Sequence, residues 1–311
     1  MKSALAPRRR VGKAKRAHLD RLRWARFALP TLRVVRKPLA RKELPRYADK
    51  IMSRMSYPRP TIVAVISAAA IACASAGAHA EQREDFLAGR VKQCPGCDLS
   101  GANFKRRDLT SADLAGANLK DANLHDARLI GAKLAGADLS GANLNKANLS
   151  RADLAGAKLT EAMLYGAILD AAKLAGTDFS EALMGTARFL RCDLTKATLR
   201  NADMRKTRLD DAVLTGADLT GAALDQAMLR DAKLDGVVLA GARLMGADLT
   251  GAKLVGADLT EADALHANLR GADLSGANLA ETNLRQANLY EAKLDGATYR
   301  ATIMPDGTTE P

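Results

Sequence analysis

The sequence predicts an all-β solenoid over residues 97–299, and three observations carry that prediction. A five-residue phrase, shown by Ala112-Asp113-Leu114-Ala115-Gly116, recurs without a break of register, its centres running from Leu99 to Tyr299. Of the 41 centres 34 are Leu, and 34 repeats carry Ala two residues before the centre. The two positions after the centre favour Ser, Thr or Ala and then Gly.

A period of five excludes the regular alternatives. On an α-helix five residues advance about 140° net, which would spread the leucines over every face. On a flat strand side chains alternate, so an odd spacing would send successive leucines to opposite sides. A short extended piece closed by a corner every five residues puts each Leu, and the Ala two before it, on one inner face. The residue between them, mostly Asp or Asn, points outward, and Gly supplies the permissive backbone of the corner. No coil of such a stack folds alone, so stability is cooperative along it and its ends need covering.

The phrase Ala112-Asp113-Leu114-Ala115-Gly116 and its 40 relatives resemble the pentapeptide-repeat family over about two-thirds of the chain. The resemblance implies a right-handed quadrilateral parallel β-helix with four pentapeptides per coil, hence about ten coils for this run. It also implies that residues twenty apart stack in columns.

The remaining segments follow in chain order: a basic leader at 1–54, a signal segment or membrane anchor at 55–80, an N-terminal cap at 81–96, the repeats at 97–299, and a C-terminal edge and tail at 300–311. The formal charge of +12 belongs to the leader, because residues 1–60 hold 19 Lys or Arg against Asp20, Glu43 and Asp49. Residues 61–311 hold 28 basic and 32 acidic side chains. Such an arm suits nucleic acid or an anionic membrane surface. The preferred reading is that translation starts at Met52 or Met55 and that the arm is not part of the protein.

Read from Met55, Arg59 precedes the apolar run Thr61–Ala72, which leads to Ala78-His79-Ala80, the pattern of a secretory signal cut between Ala80 and Glu81. An uncleaved anchor over 61–80 and lipidation at Cys73 are the alternatives. All three place the repeats outside the cytoplasm, in the periplasm or secreted.

Glu81 to Lys92 reads as an amphipathic helix whose Phe86, Leu87 and Val91 cover the first coil. Cys94-Pro95-Gly96-Cys97 then opens the repeats, with Cys94 at a centre and Cys97 at an Ala-equivalent position, both inward. This opening resembles that of exported pentapeptide-repeat proteins, and in an oxidising compartment the pair is expected to form a disulfide. Free core thiols, or a metal or redox pair, are the alternatives. Cys192 lies 95 residues from Cys97, about 23 Å along the stack and outside disulfide reach.

Departures from the phrase mark the places where function could be written. Arg107 sits at an inward Ala position, where a lone buried charge is costly, so the first coil is expected to distort or Arg107 to reach solvent. Ala264 replaces a centre Leu beside Leu265, which suggests a local shift or a small cavity. Phe104, Phe179, Met184, Phe189 and Met204 replace centre leucines and read as core filling.

On the outside, Met163, Tyr165, Ile168, Leu183 and Leu190 fall on two adjoining faces at sites where other repeats carry polar residues. They form a candidate patch for a protein partner or for self-association. Lys133, Lys173, Lys233, Lys253 and Lys293 share one face with Asp153, Asp193 and Asp273 and read as a solvated surface. Residues 297–307 resemble the terminal segment of the family and are expected to form the last coil edge and a turn, followed by a frayed tail.

No catalytic, cofactor-binding or metal-binding residue set emerges. His18 and His79 lie in the leader, His125 and His266 fall at separate corners, and neither a phosphate loop, an HExxH pair nor a dinucleotide fingerprint is present. The preferred function is an exported, non-enzymatic scaffold for protein interaction or envelope structure. The resemblance also implies a second reading, a cytoplasmic DNA-mimicking protein that binds type II topoisomerases such as gyrase and requires a strongly acidic stripe.

Overall fold

The computed structural model describes residues 80–310. The basic leader, the apolar segment 61–79 with Cys73, and Pro311 lie outside the described residues. Among the described residues no helix is long and apolar enough to cross a membrane.

Each pentapeptide contributes one bridge position of a parallel ladder, and every partner lies twenty residues away, from Gln93 with Asp113 to Asn283 with Ile303. One turn of the ladder therefore holds four repeats, and the chain closes into a four-sided β-helix. Every Leu centre from Leu99 to Leu284 is buried, and Ala fills the adjacent inner position.

The repeat 112–116 shows where five backbone N–H groups go. Ala112 donates to Leu109 O at 3.0 Å and closes the corner; Asp113 donates to Lys92 O at 2.9 Å in the coil before. Leu114 donates to Lys133 O at 2.8 Å and Gly116 to Ala135 O at 2.9 Å in the coil after. The fifth, Ala115 N–H, has no backbone acceptor and donates to Oδ1 of Asp113 at 3.3 Å. A buried or half-buried donor needs a partner, so the outward Asp or Asn is a turn cap as well as a solvated side chain. Ser or Thr after the centre adds its hydroxyl to the same oxygen, as Thr220 Oγ1 does to Asp218 Oδ1 at 2.6 Å.

The last corner residue adopts left-handed backbone throughout, in 23 non-glycine residues from Arg106 to Ala301 as well as in glycines such as Gly256. Register holds through each irregular position. Ala264 is buried and its N–H donates to Asn283 O at 2.8 Å, so the expected shift at Ala264–Leu265 does not occur. Phe104, Phe179, Met184, Phe189 and Met204 are all buried in the core. Thr177, Thr282 and Thr302 replace inner Ala without an unmet hydroxyl, each donating to a Leu carbonyl of the preceding coil at 2.6–2.9 Å. Cys192 does the same toward Leu169 O, and burial pushes its thiol up to about 12.

At the N-terminal end, helix α1 spans 80–87 and stops short of the expected Lys92. Gly89, at φ +78°, ends it: Arg90 N–H donates to Asp85 O at 2.9 Å and Gly89 N–H to Phe86 O at 3.0 Å, the paired bonds of a glycine-terminated helix. Phe86 is buried against the first coil, its ring edge-on to Phe104 at 5.7 Å.

That docking corrects the expectation for Arg107. The coil is not distorted and the side chain is half-buried under the helix rather than free in solvent; its guanidinium donates to Leu87 O at 3.0 Å and to Phe86 O, and lies over the Phe86 and Phe104 rings at 5.4 and 5.3 Å. The carbonyls at the C-terminal end of α1 carry partial negative charge, which offsets the desolvation of the half-buried cation.

At the opening of the repeats Cys94 and Cys97 are joined by a disulfide, with Cα atoms 5.4 Å apart. At the other end β1 (Thr302–Ile303) pairs antiparallel with β2 (Thr309–Glu310), so the stretch read as a frayed tail turns back and pairs.

Candidate protein-interaction surface

The outward residues form four columns, and most of each is polar. In the Lys-containing column, Lys133 pairs with Asp113 at 3.3 Å, Lys173 with Asp153 at 3.8 Å and Lys293 with Asp273 at 3.7 Å. These are exposed pairs of alternating sign, worth little individually.

The column Asn103, Asn123, Asn143, Met163, Leu183, Asp203 breaks that rule over two adjacent coils, where Met163 bridges Leu183. Leu183 is 50 % exposed and Tyr165, at the neighbouring corner, 56 % exposed. Together with Asn145, Gly185, Thr186, Asp203, Arg205 and Lys206 they line an open groove of about 470 Å³.

Gly185 lines the groove. Its φ lies outside the left-handed region, and a Cβ there would stand in ordinary contact with the Tyr165 ring, 3.4 Å from Cδ2 and 3.6 Å from Cε2. The Tyr165 ring forms one wall. Replacing the outward Asx also removes the turn cap. Tyr165 N–H finds a substitute in Asn145 Oδ1 of the coil before, at 2.8 Å. Gly185, with Leu183 at its capping position and Tyr165 beneath it, keeps a backbone N–H without an acceptor among the described residues.

The far wall is charged. Arg205 donates from Nε to Asp203 Oδ1 at 2.8 Å and from its terminal nitrogen to Oδ2 at 2.5 Å. This fork holds the Asp203 carboxyl below the usual carboxylate range.

The structure thus gathers three of the five candidate patch residues, Met163, Tyr165 and Leu183. Ile168 and Leu190 are half-buried and outside the groove. Asp170 pairs with the Arg188 guanidinium on that adjoining face, and its Oδ1 also accepts from Leu190 N–H at 3.3 Å. The patch is narrower than its sequence suggested, because Arg188 and Asp170 make the second face polar. Gly185, Asp203 and Arg205 were missed. Gly185 carries a readable signal, being the only glycine directly after a centre in the run.

Among the described residues no group of three or more His, Cys, Asp or Glu side chains is placed to hold a metal ion. His125 and His266 sit at corners 141 residues apart in sequence.

Comparison with known proteins follows the repeat. The family pattern described as pentapeptide repeats matches in eight copies, over residues 97–134, 132–170, 172–211, 192–231, 227–263 and 266–298. No curated protein matches the sequence. Among solved structures the chain is similar to HetL, a pentapeptide repeat protein involved in heterocyst differentiation regulation from the cyanobacterium Nostoc sp. strain PCC 7120. The identity is 35 % over 74 % of this chain and 98 % of HetL, with a TM-score of 0.53. It is also similar to QnrB1, a plasmid-mediated fluoroquinolone resistance protein, at 20 % identity over 54 % of this chain and 89 % of QnrB1, with a TM-score of 0.29. With more than half of its length matched by the repeat pattern, the chain belongs to the pentapeptide-repeat family, and its repeats form that family's right-handed quadrilateral β-helix.

Proposed function

We propose that this protein is an exported, non-enzymatic scaffold that docks a protein partner in the groove formed by Met163, Tyr165 and Leu183. The observation that carries the docking reading is the break in the polar column. Two stacked repeats give up the Asp or Asn that caps their own corner and expose apolar side chains instead. Met228, Val255 and Tyr290 are also exposed elsewhere on the solenoid, but here Met163, Tyr165 and Leu183 line one groove, and a contiguous apolar surface marks a contact site. Export is supported by the Thr61–Ala72 run, the Ala78-His79-Ala80 motif and the Cys94–Cys97 disulfide, which suits an oxidising compartment.

The surface chemistry favours this over the topoisomerase reading, which needs a continuous acidic stripe. The most acidic column, with Asp98, Asp138, Asp178, Asp218 and Asp258, is broken by Lys158, and Arg200 pairs with Asp218 at 2.6 Å.

The docking test is chemical cross-linking of the native protein in its host beside a Met163→Lys plus Leu183→Lys variant. A discrete adduct of the wild type that falls about tenfold in the variant is expected. Unchanged association would end the proposal. N-terminal sequencing of the fractionated protein tests export: a chain beginning at Glu81 outside the cytoplasm is expected, and one beginning at Met1 in the cytosol overturns it.

A further inference from the structure

We infer that the occupant of the groove is an extended acidic segment of another protein, with an apolar side chain between two carboxylates in the order acid-x-apolar-x-acid. This rests on the docking reading above and specifies its partner.

The corner column beside the groove runs Lys146, Gly166, Thr186, Lys206 at coil spacing. A Cβ on Gly166 would lie 3.9 Å from both Lys146 Cγ and Thr186 Oγ1, so the four positions form one continuous file. Its two middle members are small and uncharged. Its two ends are lysines, and, like most lysines among the described residues, neither stands within ion-pair distance of a carboxylate; Lys133, Lys173 and Lys293 are the ones that do. Arg205 already has a carboxylate in Asp203. The groove therefore offers an apolar centre, an uncapped N–H on Gly185 and the unspent cation of Lys206, while Lys146 stands outside its lining in the same file, one coil before Gly166.

Spacing fixes the rest. Lys146 and Lys206 are three coils apart, about 14 Å at the strand spacing of ~4.8 Å. Four residues of extended chain cover about 13 Å, and side chains at i, i+2 and i+4 of such a chain face the same way. An acid at i and another at i+4 thus reach the two lysines while the side chain at i+2 enters the apolar centre between Tyr165 and Leu183. Charge also excludes the chain's own leader as occupant, since residues 1–60 are strongly basic.

The probe is a fluorescein-labelled peptide Ser-Glu-Thr-Leu-Thr-Glu-Ser, titrated with the full-length protein and read by fluorescence anisotropy. Two controls replace both Glu by Lys, or the Leu by Ser. The Leu-to-Ser peptide keeps every charge, so attraction to the basic leader alone would bind it equally.

Expected are losses of about tenfold or more for each control and for Leu183→Lys protein. A Lys146→Glu plus Lys206→Glu protein should weaken the acidic peptide about tenfold and bind the lysine peptide in its place, a reversal that misfolding cannot produce. Equal binding of the Leu and Ser peptides, no reversal in the Glu variant, or no binding by any peptide each overturns the inference. If the cellular adduct is lost in the Met163→Lys, Leu183→Lys variant while the peptides fail, the groove docks a partner of other chemistry. If the adduct also persists in that variant, both readings fall.

Discussion

Each corner of the β-helix asks one residue to adopt left-handed backbone, and the chain meets that demand with glycine at some corners and with 23 other residues elsewhere. A side chain in that region costs on the order of 1–2 kcal/mol through its Cβ, so the corners differ in strain although their traces coincide. Gly256 and Ala171 make the comparison clean. Gly256 has φ +64° and nothing within 4 Å of a built Cβ, so Gly256→Ala tests conformation without crowding. It is expected to lower stability by about 1 kcal/mol. Ala171, at φ 57°, gives the converse, and Ala171→Gly should gain about 0.5 kcal/mol because relief of strain exceeds the added freedom of the unfolded chain. Urea denaturation of both variants checks the pair, and equal signs would refute the corner argument. The glycine preference was legible in the sequence. The task of the Asp or Asn before each centre was not, because its capping bond to the N–H two residues on depends on a corner geometry that composition does not display.

The N-terminal cap shows the same limit for an element. Phe86, Leu87 and Val91 were readable as a covering face, and the structure packs all three on the core. Arg107 read as a misplaced charge because its partners, the Phe86 and Leu87 carbonyls, precede it by about one coil and belong to a different element. No periodic rule connects them. Arg107→Ala would strip two charge-assisted hydrogen bonds and the cation over two rings, together about 3 kcal/mol of local stability. Arg107→Lys is not a rescue, since an ammonium lacks the planar fork that spans two carbonyls. Both variants are expected to speed amide hydrogen exchange over α1 and the first coil while leaving the coils around Leu209 to Leu259 unchanged. Protection retained at Phe86 in either variant would mean that the disulfide and apolar contacts hold the cap without Arg107.

For the whole β-helix, the columns that the period of five made legible carry the stability of the stack as well as its surface. Met163 and Leu183 could be paired from their twenty-residue separation alone, whereas Arg205 could not be assigned to Asp203 or to a partner until its fork was seen. The carboxylates of these columns also set the pH response. The Ser140 hydroxyl and backbone N–H hold the Asp138 carboxyl below its ordinary range, outweighing desolvation, and the Arg205 fork does so for Asp203. A carboxylate whose folded pKa is depressed contributes stability that is complete above its unfolded value near 4, and that contribution is lost as pH falls through the lower folded value. Stability should therefore be level from about pH 7 to about pH 5 and decline below about pH 4. Asn caps the same turn without titrating, as Asn148 does for Ser150 N–H at 3.0 Å. An Asp138→Asn plus Asp218→Asn variant keeps both caps and should lose less stability than the wild type between about pH 5 and about pH 3. Urea unfolding at several pH values across that range measures both slopes. A wild type that weakens between about pH 7 and about pH 5, or a variant as acid-sensitive as the wild type, would show that the acid response comes from groups other than the corner carboxylates.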